Sequence, residues 1–114
     1  GRLLYSSSCY VPNAGAGDYD LAELVPEVVV KYPQYAQFSS YLPKDPKTGS
    51  EYQTNYRYAY SADSHCVMYV NLENTKEPIT LSGLTAPTVN TGQGVLQATA
   101  QGPNGTNIYY QIGK

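Results

Sequence analysis

From Asp20 onward, apolar residues recur at Leu21, Leu24, Val25, Val28 and Val29. That three-and-four spacing gives a helix one apolar face. Asp20, followed three positions later by Glu23, forms the reciprocal start signal of such a helix. Pro26 interrupts the pattern, so the expectation is a kink or a short helix restarting with Pro26 in its first turn. Past Asn55 the period changes to two. Tyr56, Tyr58 and Tyr60 alternate with Arg57 and Ala59, which predicts a strand with one aromatic face. SADSH reads as a turn. Cys66 to Asn74 reads as a second strand, with Cys66, Met68, Val70 and Leu72 on one side and Val67, Tyr69 and Asn71 on the other. PITLSG, GVLQATA and NIYYQI are further short strands, the last two joined through QGPNGT, where Asn104-Gly105 is a turn signal. Upstream, Leu3, Leu4 and Tyr5 read as the last turn of a helix that the serine triplet and Pro12 end. NAGAGDYD reads as a flexible loop, and YPQYAQFSSYL as a further helical turn or two.

Between the helical and strand-forming parts stands YLPKDPKTG, residues 41–49. Proline fixes φ at Pro43 and Pro46 and pushes Leu42 and Asp45 towards extended geometry. Asp45 can accept a local backbone hydrogen bond, and Gly49 can supply a positive φ at the close of the turn. The stretch predicts a rigid connector that turns the chain from a helical layer into a sheet, carrying architecture rather than chemistry.

A length of 114 residues implies one domain, 1–114, with one modest core. Seven basic against nine acidic residues leave a formal charge of −2. That is too little positive charge to grip phosphates, so strong nucleic-acid binding is not expected. No run of 18 apolar residues exists to span a membrane. Thirteen tyrosines stand against one Phe and no Trp. Tyrosine joins aromatic area to a polar tip and suits half-buried sheet faces, the bland reading, or a ligand platform, the sharper one.

Candidate chemistry is sparse. Cys9 and Cys66 lie too far apart for a short zinc or redox motif. An even count in a tyrosine-rich, surface-type domain points to a disulfide, with two buried free thiols as the other reading. His65 is the sole histidine, sits beside Cys66, and has no partner legible in the sequence. Ser6 to Ser8 lack a nucleophile-elbow context, and GAG and TGQG lack the framing of a phosphate loop. Asp18 and Asp20, with Glu23, offer calcium oxygens, though the helix start already explains Asp20. Asn104-Gly105-Thr106 matches the N-glycosylation pattern, where a turn explanation suffices. No catalytic, metal or cofactor residue is assigned.

The order of LLYSSSCYVP, an apolar short helix, YLPKDPKTG, YRYAYS and YVNLEN resembles the type IV pilin and type II secretion pseudopilin superfamily. In that family a long N-terminal helix ends in a Tyr-rich segment and a YP-like turn, matched here by Tyr10-Val11-Pro12. An lPkDP turn follows, here Leu42 to Pro46, then a Y-x-Y strand, Tyr56 to Tyr60, and an LEN-like element, Leu72 to Asn74. The likeness covers positions 3–74 and is generic over Thr75 to Lys114. It implies an α+β headgroup, with an N-terminal helix remnant packed against an antiparallel sheet of four or five strands. It also implies a non-catalytic structural subunit of an extracellular pilus-like filament, without cofactor. Its partners would be other pilin subunits, and both assembly and membrane anchoring would run through an N-terminal hydrophobic helix that these residues do not contain. The isolated domain is then expected to be monomeric. The calcium loop of secretion-system major pseudopilins is not recognisable, which favours a pilus pilin. A periplasmic pseudopilin and a tyrosine-rich cell-surface binding module are the alternatives. A Cys9–Cys66 bridge would tie the helix exit to the second strand, unlike the C-terminal-loop disulfide of many pilins.

Overall fold

The computed structural model describes residues 9–34, 44–50 and 53–114. The elements are β1 (Gly17–Asp20), α1 (Leu21–Lys31), β2 (Tyr56–Ser61), β3 (His65–Asn71), β4 (Gly92–Gln97) and β5 (Ile108–Gly113). The strands form one antiparallel sheet in the order β1-β2-β3-β5-β4. The expected α+β class, a helix packed on an antiparallel sheet of four or five strands, is present among the described residues as one short helix on five strands. The helix that packs on the sheet is α1, and the helix remnant expected at Leu3 to Tyr5 lies outside the described residues.

α1 starts where its capping signal stands. The Asp20 carboxylate accepts from the Ala22 N–H at 3.0 Å, and the Glu23 carboxylate accepts from the Asp20 N–H at 3.0 Å. Such a cap contributes about 1 kcal/mol. The helix neither stops nor restarts at Pro26, which sits inside one continuous element. Its missing N–H leaves the Ala22 carbonyl, one turn earlier, without its usual donor. The chain leaves the helix at Tyr32, whose N–H reaches the Val28 carbonyl at 2.8 Å, and Pro33 follows. Leu21 and Leu24 are buried and Val28 packs beside them, as the spacing predicts.

The pairing register sorts the sheet into two faces. Tyr58 opposes Met68, Tyr60 opposes Cys66, and Ile112 opposes Met68 on the other side. These residues cluster with Cys9, Tyr10, Leu21 and Leu24 beneath α1. The opposite face carries Arg57, Val67, Tyr69, Tyr109, Gln111 and Leu96, by the same alternation. It is covered by the long β3–β4 connection, residues 72–91, through Leu81 and Leu84 against Leu96, Ala98 and Tyr109. Val67 and Leu96 are therefore buried although they face away from the helix. Buried Gln111 staples the covering loop, with its Oε1 accepting from the Thr88 N–H at 2.9 Å and its amide donating to Thr91 Oγ1 and the Gly92 carbonyl.

Several strand expectations change, the GVLQATA strand among them, which runs over Gly92–Gln97. NAGAGDYD is not all loop, because Gly17–Asp20 pairs with Tyr60 to Arg57 as edge strand β1. Only four residues long, it offers too little alternation to be seen without its partner. PITLSG is not a strand. The N–H groups of Thr80 and Leu81 both donate to the Val95 carbonyl, and the Val95 N–H donates to Thr80 Oγ1 at 2.9 Å. Two donors on one acceptor brace the β4 edge without extending a ladder. The second strand is also shorter than expected, ending at Asn71. The hairpin turns stand as predicted: SADSH turns through Ser64 (φ 71°), and Gly105 (φ 80°) turns the β4–β5 connection.

Gly49 has no positive φ. Its hydrogen atom stands where a Cβ would overlap the Asp45 N–H and come within 2.5 Å of the Thr54 carbonyl. Glycine is needed there for close approach, not for handedness. Gly49→Ala is expected to lower stability by about 1–3 kcal/mol, as overpacking does. Exposed Lys44→Ala should stay within about 0.5 kcal/mol. Paired urea melts check both.

Candidate functional site

The connector and its surroundings are built around two buried carboxylates. Asp20 is 2 % exposed. Besides capping α1, it accepts from the Thr54 N–H at 2.9 Å, Thr54 Oγ1 at 2.7 Å and the Asn55 N–H at 2.8 Å. One side chain thus joins the helix start to the segment entering β2. Burial alone would raise its pKa, and the donors from Ala22, Thr54 and Asn55 outweigh that and hold it below the usual carboxylate range.

Asp45 is the second. Its Oδ1 accepts from the Lys47 and Thr48 N–H groups at 2.8 and 3.0 Å, the local turn expected of a short acidic side chain. Its Oδ2 accepts from the Asn104 amide at 2.7 Å, across 59 positions of sequence. The Asn104 amide also donates to the Asn71 carbonyl at 2.9 Å, and the Asn104 N–H to Asn71 Oδ1 at 2.7 Å. The Asn71 amide in turn reaches the carbonyls of Thr106 and Ile108, both at 3.0 Å. The two knots meet at Thr54, whose carbonyl accepts from the Asp45 N–H at 2.7 Å. Burial again opposes ionisation of Asp45, and the donors of Thr48, Asn104 and Lys47 prevail to lower its pKa. Among the described residues no buried side-chain nitrogen or oxygen lacks a partner. A network this complete specifies one arrangement, because any missing member would strand a desolvated group.

Asn104 therefore serves the fold. Its amide nitrogen, the atom a glycan would need, is spent on Asp45 and Asn71, and the residue is 7 % exposed. Expressed in a glycosylating host, the folded domain should leave the secretory route with Asn104 unmodified. Peptide mass spectrometry reads this directly, and near-complete occupancy there would contradict the network.

The calcium-type carboxylates are turned to other donors. Asp18 pairs with Arg57 at 2.7 Å and accepts from the Tyr69 hydroxyl, Asp20 sits in its knot, and Glu23 faces the Asp20 N–H. Arg57 also lies 4.0 Å from Asp20. Cys9 and Cys66 are joined as a disulfide with Cα atoms 6.0 Å apart. Bonded in this way, Cys66 offers no thiolate to His65.

No family model, curated protein or solved structure matches the chain. The chemistry must be read from its own residues.

Around the disulfide, the segment from Cys9 to Asn13 is held on three sides. The buried Tyr58 hydroxyl donates to the Tyr10 carbonyl at 2.6 Å. The Tyr10 hydroxyl donates to Glu27 of α1 at 2.6 Å, and Glu27 also accepts from the Asn13 N–H. Lys31 donates to the Val11 carbonyl and stands 4.7 Å over the Tyr10 ring. Burial, then the Glu27 contact, pushes the Tyr10 phenol well above its ordinary pKa. These roles for Tyr10, Tyr58, Thr54, Asn71 and Gln111 were not legible in the sequence. Each acts over tens of positions, where no local spacing carries a signal.

Proposed function

We propose that the domain is the headgroup of a structural subunit of an extracellular, type IV pilus-like filament, working without a reaction. The observation that carries this reading is the treatment of the chain at Cys9. There the chain is joined by the Cys9 side chain's disulfide to β3, the middle strand of the sheet, and its backbone carbonyls accept hydrogen bonds from β2 and α1. A load applied to the chain ahead of Cys9 would pass through a covalent bond into the centre of the sheet rather than peel an edge strand. A subunit held in a filament through its N-terminal side needs that property. The carboxylates that an enzyme would use are instead saturated by donors that hold the layers together. Both sheet edges are guarded, β1 by its shortness and β4 by Thr80 and Leu81, which suits a headgroup that does not itself polymerise by strand pairing.

Immunogold labelling of cells that make the protein, with antibody raised to this domain, tests the proposal. Decorated surface fibres that vanish on gene deletion are expected. Antigen confined to the periplasm would point to a pseudopilin, and antigen released as free monomer would overturn the filament reading. The purified domain should scatter light as a monomer at micromolar concentration.

A further inference from the structure

On the face of the sheet opposite α1, a groove of about 330 Å³ runs between the segment entering β2 and the β4–β5 turn. Its floor is Tyr69 and Tyr109, whose rings meet edge to face with centroids 6.1 Å apart. Arg57, Gln53, Gln101 and Asn55 line its walls. The volume is at the small end of the range of about 300–1,000 Å³ typical of small-molecule sites.

Unused hydrogen-bonding capacity gathers in this groove. Most of Tyr109 is buried, but its hydroxyl makes no hydrogen bond among the described residues and, since no buried side-chain oxygen lacks a partner, that oxygen is open to solvent. The solvent-exposed side chains of Gln53 and Gln101 at the rim add amides that make no hydrogen bond among the described residues. The Asn55 amide nitrogen is engaged by Thr48, while its oxygen accepts no hydrogen bond among the described residues.

The charge at the site selects the ligand class. Arg57 is the one cationic side chain of the groove, and it is already matched by Asp18 at 2.7 Å and approached by Asp20 at 4.0 Å. A phosphate or carboxylate would find its only counter-charge occupied and a second carboxylate behind it. Asp18 already accepts from Arg57 and the Tyr69 hydroxyl, and Asp20 from Thr54, so a cation would compete with donors already in place. What remains is a neutral ligand rich in groups that both donate and accept. Amides and a phenol complement hydroxyls of that kind. A tyrosine ring held by its hydroxyl to Asp18 offers a fixed apolar surface to a sugar's C–H face, at little ordering cost.

We infer that the groove at Tyr69 and Tyr109 binds a short neutral saccharide of one or two rings, with Tyr109 Oη, Gln53 and Gln101 bonding its hydroxyls. The inference does not depend on the filament reading.

The test is a ¹⁵N–¹H correlation titration of the folded domain with maltose, cellobiose and N,N′-diacetylchitobiose at tens of millimolar, with sodium acetate as the anionic comparison. At least one saccharide should move the amide signals of Arg57, Tyr69, Gln101, Gly102 and Tyr109 together. Tyr109→Phe keeps the ring and removes only the unpartnered hydroxyl, and Gln101→Ala alters an exposed side chain, so both variants should retain the parent's dispersed spectrum. Each should weaken saccharide binding about three- to tenfold, the effect of one hydrogen bond. Three results would each overturn the inference: no saccharide moves these signals, both variants bind as the parent does, or acetate moves the same signals more strongly than every sugar.

Discussion

A double variant, Cys9→Ala with Cys66→Ala, is expected to unfold in urea with a stability about 4 kcal/mol below the parent. The bridge closes a loop of 57 positions, and constraining such a loop in the unfolded chain is worth about 4 kcal/mol in the chain-entropy model. The loop holds β1, α1 and β2, so half of the elements are pre-gathered by one bond. Cys66 is also fully buried within the cluster of Tyr58, Leu21 and Leu24, which adds a smaller packing loss when its sulfur is removed. For a domain whose whole stability falls in the usual range of about 5–15 kcal/mol, the loss is a large share. Equilibrium melts of the parent and the double variant, compared at the same pH, read the difference. A drop under about 1 kcal/mol would mean that the unfolded chain is already compact between these positions.

Removing the carboxylate of Asp20 comes second, at about 3–4 kcal/mol for Asp20→Ala. The side chain caps α1 and accepts from Thr54 and Asn55, and hydrogen bonds to a charged acceptor contribute about 1.5–3 kcal/mol each without adding in full. Its loss leaves N–H groups buried at the junction of helix and sheet. Thr54→Val, which deletes one of these partners while keeping volume, should cost less. The same carboxylates predict the response to acid. Folding lowers the pKa of Asp20 and of Asp45 below the value in the unfolded chain. Their stabilisation is therefore complete above the unfolded value, about 4. It fades as the pH falls through the lower, folded values. The parent should hold its stability from neutrality down to about pH 4 and lose it below. Asp20→Asn should flatten that acid limb while lowering the plateau. An unchanged acid limb in Asp20→Asn would show that Asp20 does not carry this dependence.

The periodic signals were legible because they are local. The three-and-four apolar spacing, with Asp20 and Glu23 at its start, contained α1 and its cap. The alternation of Tyr56, Tyr58 and Tyr60 contained β2 with its helix-facing side, and Asn104-Gly105 contained a turn. The local turn of Asp45 could be foreseen as well, since a short carboxylate reaches only the next few N–H groups unless the fold brings more. Tertiary structure decided what those residues were for. β1 exists because Tyr60 to Arg57 lies alongside it, and Thr80 and Leu81 became a brace because the Val95 carbonyl lay within reach. Asn104, which in sequence reads as a turn or a glycan acceptor, is the donor that ties the connector to the β4–β5 turn through Asp45. Gly49 answers to a close approach between Asp45 and Thr54 rather than to its own φ. Periodicity reports which face of an element is apolar, and it holds no record of which element covers that face. That choice rests on desolvation and on hydrogen bonds made across tens of residues, which exist only once the chain has closed on itself.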